Sequence, residues 1–313
     1  MFLGVDGGGT KTSYVVIDAD GLVRARHVGP SVSHLAQGFA RATDLLAEGI
    51  GAILHKASLS PHDLTYAFLG LPSYGEDSAT TAQMELMPAR LLAGARYRCG
   101  NDMLCSWAGS LACADGISVI AGTGSIAYGE YGGRTARAGG WGEIIGDEGS
   151  AYWIAREGMN LFSRMSDGRA PRGPLYELVR TRAGIAVDLD LCAHVYGEGV
   201  SARRAFAAFA PLVHEAAQAG DTRAAEIFRR GADELVQCVR AVRQSLQVPD
   251  DVVLPVSNTG GVFQSGGLML EAFRAALAPA QPPFEYCEPQ YQPDIGAALY
   301  AARLMGRRLT PRV

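Results

Sequence analysis

Apolar and polar residues in the first third of the chain follow two different periods. Short alternating or β-branched stretches predict strands, and apolar residues that recur every three or four positions predict helices. Predicted strands cover residues 2–6, 12–18, 22–28, 65–70 and 96–100. Predicted helices cover residues 35–54 and 78–93. The predicted order is therefore three meandering strands, a helix, a strand, a helix and a strand.

The pattern starts again after residue 116, with a strand, a glycine-rich turn and a second strand. Predicted strands cover residues 117–121, 126–131 and 251–256, and predicted helices cover 150–165, 202–219, 222–247, 267–278 and 293–306. Asp221 directly precedes the longest of these helices and is a residue type that favours the N-cap. This alternation of strands and helices predicts an α/β fold.

The two halves of the chain share one local design. Residues 2–17 read "FLGVDGGGTKTSYVVI" and residues 117–131 read "ISVIAGTGSIAYGEY". Each is an apolar strand, a turn rich in glycine and threonine, and another apolar strand. We predict two related α/β halves that face each other across a cleft and each present a loop to one ligand. Two unrelated hairpins are the alternative, because glycine and threonine are common in turns.

Composition narrows the class of protein. At 313 residues the chain is long enough for two domains or one large one, and its 48% hydrophobic and 19% charged content is typical of a globular protein. A net charge of −4 gives no electrostatic reason to expect nucleic acid or an acidic membrane as partner. No apolar run approaches the roughly 18 residues of a membrane span. The N-terminus lacks a basic region, so we predict no signal peptide and a cytoplasmic protein.

Six cysteines are scattered along the chain without a C-x-x-C pair. They are Cys99, Cys105, Cys113, Cys192, Cys238 and Cys287. This distribution predicts free thiols, most of them buried, in a reducing compartment. The histidines form no H-E-x-x-H pattern either. We therefore expect no zinc or iron site made of protein ligands.

The first glycine-rich turn is a candidate phosphate site, made of Gly7, Gly8, Gly9, Thr10 and Lys11. A Walker A loop would need the lysine one residue earlier and a helix after it, and the Rossmann fingerprint also needs a helix, whereas a strand follows here. A plain hairpin turn needs only one or two residues with positive φ. The excess of glycine lets backbone N–H groups converge on an anion. Lys11 also fits a solvated hairpin charge.

Asp6 lies immediately before these glycines. A phosphate would repel its carboxylate unless a cation lay between them. Mg²⁺ suits this position because it bridges carboxylate and phosphate oxygens while keeping most of its waters. A turn-forming aspartate is the alternative interpretation. The second glycine-rich turn, at 122–125, would supply the other phosphate loop.

Asn101 and Asp102 follow the predicted strand at 96–100. A carboxylate at the carboxyl end of a parallel strand lies at the edge where α/β sheets bind ligands. The residues after Asp102 favour a helix, so this aspartate also fits an N-cap.

The pair at Gly260 and Gly261, in "NTGGVF", could let a flat base lie against the backbone, or could be an ordinary connection between a strand and a helix.

Residues 139–158, "GGWGEIIGDEGSAYWIAREG", form the densest stretch of candidate chemistry. Five glycines within eleven residues predict a loop whose backbone folds around a polar ligand. Carboxylates suit the hydroxyl groups of a sugar, and a tryptophan face suits the C–H surface of a pyranose ring. Helix capping explains Asp147 and Ser150 but leaves Trp141 and the other glycines without a reason.

Taken in order, these segments resemble the sugar kinase/hsp70/actin superfamily. More closely, nearly the whole chain is similar to the N-acetylglucosamine kinases of the BadF/BadG/BcrA/BcrD ATPase family. "GVDGGGTKT" and "VIAGTGSIAYG" resemble its two phosphate loops, "GNDMLCSWAG" its catalytic segment, "GGWGEIIGDEGS" its most specific segment and "NTGGVF" its adenosine loop. The resemblance implies two ribonuclease H-like (actin-like ATPase) domains around an interdomain cleft. They would comprise residues 1–112, completed by the C-terminal helix at 294–313, and residues 113–293.

The resemblance also implies an ATP-dependent kinase that phosphorylates the 6-hydroxyl of N-acetylglucosamine, with Mg²⁺ as cofactor. Asp102 would be the general base, and Asp6 would hold the metal through water. The implied phosphate and ATP contacts are Gly7, Gly8, Gly9, Thr10, Lys11, Gly122, Thr123, Gly124, Ser125, Gly260 and Gly261. The implied sugar contacts are Ser33, Asn101, Asp102, Gly140, Trp141, Gly142 and Asp147. The partners would be ATP and an amino sugar, with no nucleic acid or membrane, and the protein would be a homodimer as members of this family often are.

Three positions depart from the pattern of the N-acetylglucosamine kinases. Ser33 replaces an asparagine, Leu35 a tryptophan and Glu143 a histidine. Glucosamine and N-acetylmuramic acid therefore stay open as substrates, and Glu143 could hold the cationic amine of glucosamine. A second class is an ATPase activator of a reductase or dehydratase, which would need cysteines around a shared iron–sulfur cluster. A sugar-sensing regulator would be expected to carry a DNA-binding segment before the first loop.

Overall fold

The computed structural model describes residues 1–196 and 206–312. The chain divides into two compact units, here called unit 1 and unit 2. Unit 1 comprises Met1–Asp115 and Glu288–Val313, and unit 2 comprises Gly116–Cys287. The chain therefore leaves unit 1, completes unit 2 and returns. The predicted helix at 202–219 begins outside the described residues.

Unit 1 is built on a five-stranded mixed sheet in the order β3-β2-β1-β4-β5. The strands are β1 Phe2–Gly7, β2 Lys11–Ile17, β3 Val23–Pro30, β4 Tyr66–Leu71 and β5 Tyr97–Asn101. The first three pair antiparallel, and β4 and β5 run parallel to β1. The helices are His34–Gln37, Phe39–Lys56, Ser78–Leu86, Met103–Ser110 and Pro293–Leu304, with a 3₁₀ turn at Pro61–Asp63. The carboxyl ends of β1, β4 and β5 therefore share one edge of the sheet.

Close glycine contacts hold the last helix of unit 1, Pro293–Leu304, in place. A Cβ on Gly4 of β1 would collide with the backbone of this helix, and a Cβ on Gly109 would lie 2.8 Å from the carbonyl oxygen of Gln292. Gly296 similarly lies against the backbone of the helix Met103–Ser110. These positions accept no side chain, because any added atom would meet backbone rather than a movable side chain.

Unit 2 repeats the arrangement with a sheet in the order β10-β9-β6-β7-β8. Its strands are β6 Gly116–Ala121, β7 Ser125–Tyr131, β8 Arg134–Gly139, β9 Leu254–Thr259 and β10 Phe284–Tyr286. β6, β7 and β8 pair antiparallel, and β9 and β10 run parallel to β6. The described helices are Ala151–Ser166, Pro174–Ala183, Asp190–Tyr196, Ala210–Gln218, Thr222–Ser245, Gly261–Gln264 and Leu268–Leu277.

The longest helix of unit 2, Thr222–Ser245, has a polar anchor near each end. Asp221 accepts hydrogen bonds from the backbone N–H groups of Arg223 and Ala224, which confirms the predicted N-cap. Near the other end, the buried Arg243 donates hydrogen bonds to three backbone carbonyl groups. These belong to Pro249, Val252 and Pro283, at 2.7 to 2.9 Å. The helix thereby fixes the loops that precede β9 and β10.

The structure confirms the predicted α/β class and the repeated order of strands and helices. It corrects several bounds: the predicted helix at 35–54 is interrupted at Gly38, the one at 78–93 ends at Leu86, and the strand at 251–256 lies at Leu254–Thr259. Pairing with β6 sets this last register. Two edge strands, β8 and β10, were not predicted, because the apolar side chains of the first are two alanines, Ala136 and Ala138, and the second has three residues. No described helix is long and apolar enough to cross a membrane.

Candidate active site

The first loop, Gly8–Thr10, joins β1 to β2, and no glycine from Gly7 to Gly9 has a positive φ. Gly7 is required by packing, since a Cβ there would lie 2.8 Å from the carbonyl oxygen of Gly70. Gly9 is exposed, and a Cβ there would meet no atom of the described residues within 4 Å. Neither turn geometry nor packing therefore explains Gly9. Its bare backbone N–H fits the predicted contact with phosphate.

The first loop is tied to the segment that follows β3. Ser31 Oγ donates a hydrogen bond to the carbonyl oxygen of Gly8 at 2.7 Å, and the N–H of Val32 donates to Thr12 Oγ1 at 3.2 Å. The Val32 side chain also lies against Gly7, at the carboxyl end of β1. These contacts bring the predicted sugar residue Ser33 to the same sheet edge as the first loop.

Asp6 lies next to the last residue of β1 and is only partly exposed. Burial, and then the charge of Asp294, raise the pKa of Asp6 to about 7, against a smaller opposing effect of the Cys105 thiol and Lys11. Near neutral pH the Asp6 carboxylate is thus in a place where negative charge is unfavourable unless a cation is near.

This environment fits the predicted role of Asp6 toward Mg²⁺. The described residues contain no group of three or more His, Cys, Asp or Glu side chains placed to hold a metal ion. A metal near Asp6 would therefore depend on water and phosphate oxygens for its ligands, which is how Mg²⁺ commonly binds at nucleotide sites. That Asp6 holds Mg²⁺ through water stays a prediction.

Asp102 directly follows β5 and precedes the helix Met103–Ser110. Its side chain makes no capping hydrogen bond, so the N-cap interpretation does not account for its carboxylate. Asn101 performs that function instead: its Oδ1 accepts from the N–H of Met103 at 3.1 Å, and its Nδ2 donates to the carbonyl oxygen of Tyr74 at 3.0 Å. Asn101 thus fixes the backbone from which the Asp102 carboxylate projects.

The pKa of Asp102 is raised to about 8, first by burial and then by the charges of Asp6 and Glu76. A negative charge on Asp6 thus opposes the ionisation of Asp102. A carboxylate that changes protonation state near neutral pH is suited to proton transfer. The carboxyl ends of β1 and β5 therefore carry two coupled acidic groups, and one of them lies beside the predicted phosphate loop.

The second loop, Gly122–Gly124, joins β6 to β7 and is held on several sides. The N–H of Ala151, the first residue of the helix Ala151–Ser166, donates to the carbonyl oxygen of Gly122 at 2.8 Å. Ser125 donates twice, from its N–H to Asp147 Oδ1 at 3.3 Å and from its Oγ to the carbonyl oxygen of Glu148 at 2.6 Å. The predicted phosphate residues of this loop therefore rest on the segment predicted to bind sugar.

The segment predicted to bind sugar contains several residues with left-handed backbone conformation. Four of its glycines, Gly139, Gly140, Gly142 and Gly149, have φ between +69° and +84°. Asp147 adopts φ +60° and is buried. One of its carboxylate oxygens already serves the second loop, so its predicted contact with sugar stays a prediction. Trp141 is 69% exposed on the same segment, which leaves its ring accessible to a ligand.

The two glycines after β9, Gly260 and Gly261, differ in whether the fold has room for a side chain. Gly260 has φ +103°, and a Cβ there would collide with the carbonyl group of Ala121, next to the second loop. An added Cβ at Gly261 would have no atom within 4 Å in the part of the chain that the structure describes. The fold thus requires Gly260 whether or not a nucleotide binds, and only Gly261 has the open backbone expected of a base contact.

Sequence reasoning missed two neighbours of Asp6. Asp294 lies in the first turn of the last helix of unit 1, far along the chain. The fully buried Cys105 donates from Sγ to the carbonyl oxygen of Val5 at 3.6 Å. Only the fold brings them to β1, so no local pattern could have identified them.

The predicted burial of the cysteines is partly wrong. All six are free thiols, but only Cys99 and Cys105 are buried, and Cys192 is exposed. The buried pair face different carbonyl groups, of Met84 and Val5. They form no shared loop of the kind that an iron–sulfur cluster between subunits would require.

Two α/β units that each present a glycine-rich hairpin, with acidic groups at the strand ends of one, define an ATPase of the actin-like class. The chain belongs to the BadF/BadG/BcrA/BcrD ATPase family, whose model matches residues 3–301. An N-acetyl-D-glucosamine kinase from Dictyostelium discoideum is 27% identical, over 96% of this chain and 97% of that protein. An N-acetylmuramic acid/N-acetylglucosamine kinase from Clostridium acetobutylicum is 29% identical over the same shares. The crystal structure of a candidate N-acetylglucosamine kinase from Chromobacterium violaceum superposes with a TM-score of 0.73 at 28% identity, over 95% of this chain and 97% of that one.

Proposed function

We propose that the protein is an ATP-dependent amino-sugar kinase that transfers the γ-phosphoryl group of ATP to the 6-hydroxyl of N-acetylglucosamine. The observation that carries the proposal is the Asp102 carboxylate. It lies at the carboxyl end of a parallel strand, makes no capping hydrogen bond and has a pKa of about 8. The two relatives named above are kinases of N-acetylglucosamine, and the family is one of ATPases.

In this proposal Asp102 accepts the proton of the sugar hydroxyl as its oxygen bonds to the γ-phosphorus and ADP leaves. General base catalysis of this kind contributes about 10²–10⁴-fold to a rate. The open backbone at Gly9 and the hydroxyl of Thr10 contact phosphate oxygens from unit 1. Thr123 and Ser125 do so from unit 2, and Gly261 contacts the adenosine.

Mg²⁺, when bound, neutralises charge on the phosphate oxygens. Asp6 would hold it through water. Binding a cation beside Asp6 also lowers the cost of ionising Asp102, because the negative charge of Asp6 is one cause of the raised pKa of Asp102. In this proposal, metal binding near Asp6 and proton acceptance by Asp102 are therefore electrostatically coupled within unit 1.

The sugar contacts in this proposal are Ser33, Asn101 and Asp102 in unit 1, with Gly140, Trp141, Gly142 and Asp147 in unit 2. N-acetylmuramic acid is a second candidate substrate, favoured by the relative that is named for both sugars. Glucosamine is a third, favoured by Glu143. We also propose a cytoplasmic homodimer, which a mass measurement in solution and localisation of the native protein would test.

An ATP-coupled assay tests this function with N-acetylglucosamine, N-acetylmuramic acid, glucosamine, N-acetylmannosamine and glucose, each with Mg²⁺. We expect ADP release with at least one amino sugar and a product phosphorylated at the 6-position. No ADP with any sugar would overturn the kinase proposal. A brown protein containing iron would favour an activator instead.

Replacement of the base gives the sharper test. Asp102→Asn removes proton acceptance at nearly constant volume, so turnover should fall about 10²–10⁴-fold while sugar binding persists. Turnover at the wild-type rate would exclude Asp102 as the base. Asp115→Asn, a carboxylate in unit 1 that the proposed site does not use, is the matched control and should keep the wild-type turnover.

A further inference from the structure

A buried cysteine of unit 1 contacts the backbone beside both acidic residues, and no step of the proposed reaction uses it. Cys105 lies in the first turn of the helix Met103–Ser110 and is fully buried. Its N–H donates to the carbonyl oxygen of Asp102 at 3.0 Å. Its Sγ donates to the carbonyl oxygen of Val5, the residue before Asp6, at 3.6 Å. One residue thus connects the helix that follows Asp102 to the strand that carries Asp6.

The thiol of Cys105 occupies a space that a glycine of β4 leaves open. Gly70 pairs with Asp6 of β1 on one side and with Gly100 of β5 on the other. A Cβ on Gly70 would collide with Sγ of Cys105 and would lie 3.1 Å from the Cα of Asp102. Because paired residues of adjacent strands point to the same face of a sheet, the Asp6 side chain leaves the sheet on the face where the thiol lies. Glycine is therefore required at position 70 to admit the thiol.

The surroundings of this thiol keep it protonated. Burial, and then the charges of Asp6 and Asp102, raise the pKa of the Cys105 thiol well above its usual value. The thiolate is the form of cysteine that acts as a nucleophile or binds metals, so this residue is suited to neither function. A protonated thiol is a small apolar group with one weak hydrogen-bond donor. Cys105 therefore offers packing and one directed hydrogen bond rather than reactivity.

We propose that Cys105 is a positioning residue for the general base: its thiol holds the helix that follows Asp102 against β1, so that the Asp102 carboxylate keeps a fixed position relative to Asp6. This inference rests on the proposed kinase function and adds a residue that touches neither substrate. The backbone of Cys105 is held too, because a Cβ on Gly296 of the last helix would collide with its carbonyl oxygen. A displacement of about 1 Å at a catalytic group can lower a rate about 10²-fold, so the position of this helix matters for turnover.

Substitution of the two buried cysteines of unit 1 tests the role of the thiol. Cys105→Ala removes the sulfur atom and its hydrogen bond, and we expect kcat to fall about tenfold with the KM for the sugar within about twofold of the wild type. Cys105→Ser keeps a donor and should stay within about threefold of the wild-type kcat. Cys99 on β5, whose Sγ donates to the carbonyl oxygen of Met84, is the matched control. Cys99→Ala leaves a similar cavity in the same unit, so it should lose thermal stability as Cys105→Ala does and keep the wild-type kcat.

Combination with Asp102→Asn separates positioning of the base from a general effect on the fold. Groups that act as a unit have non-additive effects on a rate, so in the Asp102→Asn variant, which lacks the base, Cys105→Ala should lower the residual kcat by less than about twofold. A further loss of about tenfold in that background would overturn the inference. So would a wild-type kcat for Cys105→Ala, a serine variant as slow as the alanine variant, or an equal loss of kcat in Cys99→Ala. A wild-type protein inactive on every sugar would instead overturn the kinase proposal itself.

Discussion

The two glycine-rich hairpins look alike in sequence but differ in what holds them. In unit 1, Gly9 is exposed and has open space around it, and the loop is attached at Gly8, which bonds to Ser31 and Lys11. In unit 2, the loop at Gly122–Gly124 lies against a helix start and a buried carboxylate. One hairpin has glycine that folding does not need, and the other is part of a rigid network.

The comparison of the two loops shows two different reasons for glycine at a given position. Glycine is required by the fold where φ is positive or a backbone lies too close for a Cβ, as at Gly260. Glycine at an open position with ordinary φ has no structural reason, as at Gly9 and Gly261. Substitution by alanine should therefore affect stability at the first kind of position and ligand binding at the second.

The largest effect is expected at Gly260, whose alanine variant combines left-handed backbone with a collision against Ala121. Gly260→Ala should destabilise unit 2 by more than about 3 kcal/mol, because strain and overpacking add. Gly261→Ala is the matched control and should change stability by less than about 0.5 kcal/mol. Denaturant unfolding measures both. Equal stabilities would show that the contact with Ala121 relaxes freely.

The next effect concerns the carboxylate that holds the second loop. Asp147→Ala leaves the N–H of Ser125 without its acceptor and puts alanine at positive φ, so we expect a loss of about 2–3 kcal/mol. Asp147→Asn keeps an acceptor oxygen and tolerates left-handed backbone, so it should lose less than about 1 kcal/mol. Thermal unfolding compares the two. A larger loss for asparagine would mean that the charge of Asp147, rather than this hydrogen bond, stabilises the loop.

In the first loop, unlike the second, we expect a glycine substitution to weaken ligand binding and to leave stability unchanged. Gly9→Ala adds a methyl group where the fold has space, so the free energy of unfolding should change by less than about 0.5 kcal/mol. The same methyl group would obstruct a phosphate that approaches the backbone, and the KM for MgATP should rise about tenfold, the order expected for the loss of one or two hydrogen bonds. A variant with wild-type KM would remove Gly9 from the phosphate site.

The smallest effect is a pH dependence of stability in unit 1. The pKa values of Asp6 and Asp102 rise from 3.8 in the unfolded chain to about 7 and about 8 in the folded one. Between pH 4 and pH 8 the folded state thus binds more protons, so the free energy of unfolding falls as pH rises. Without metal or nucleotide, Asp102→Asn should unfold about 2–4 °C higher than the wild type at pH 8 and at the same temperature at pH 4. A variant less stable than the wild type at pH 8 would contradict the raised pKa.

Local sequence was enough to predict the α/β class, both hairpins and the cap at Asp221, because period and turn chemistry are properties of neighbouring residues. The edge strand β8, whose apolar side chains are two alanines, has no such signal. Contacts between distant segments were also invisible: Asp294 alters the pKa of Asp6 across most of the chain length, and Asn101 donates to the carbonyl oxygen of Tyr74, 27 residues earlier.

The packing of the last helix of unit 1 against Gly4 and Gly109 has a consequence for the order in which the protein folds during synthesis. Unit 1 needs residues from both ends of the chain, whereas unit 2 is one continuous segment. On a ribosome, all of unit 2 is synthesised before Pro293–Leu304 emerges. Domains usually fold in order from the amino terminus during synthesis. Here we expect the reverse order: unit 2 can fold first, because the helix that packs on β1 of unit 1 is synthesised last.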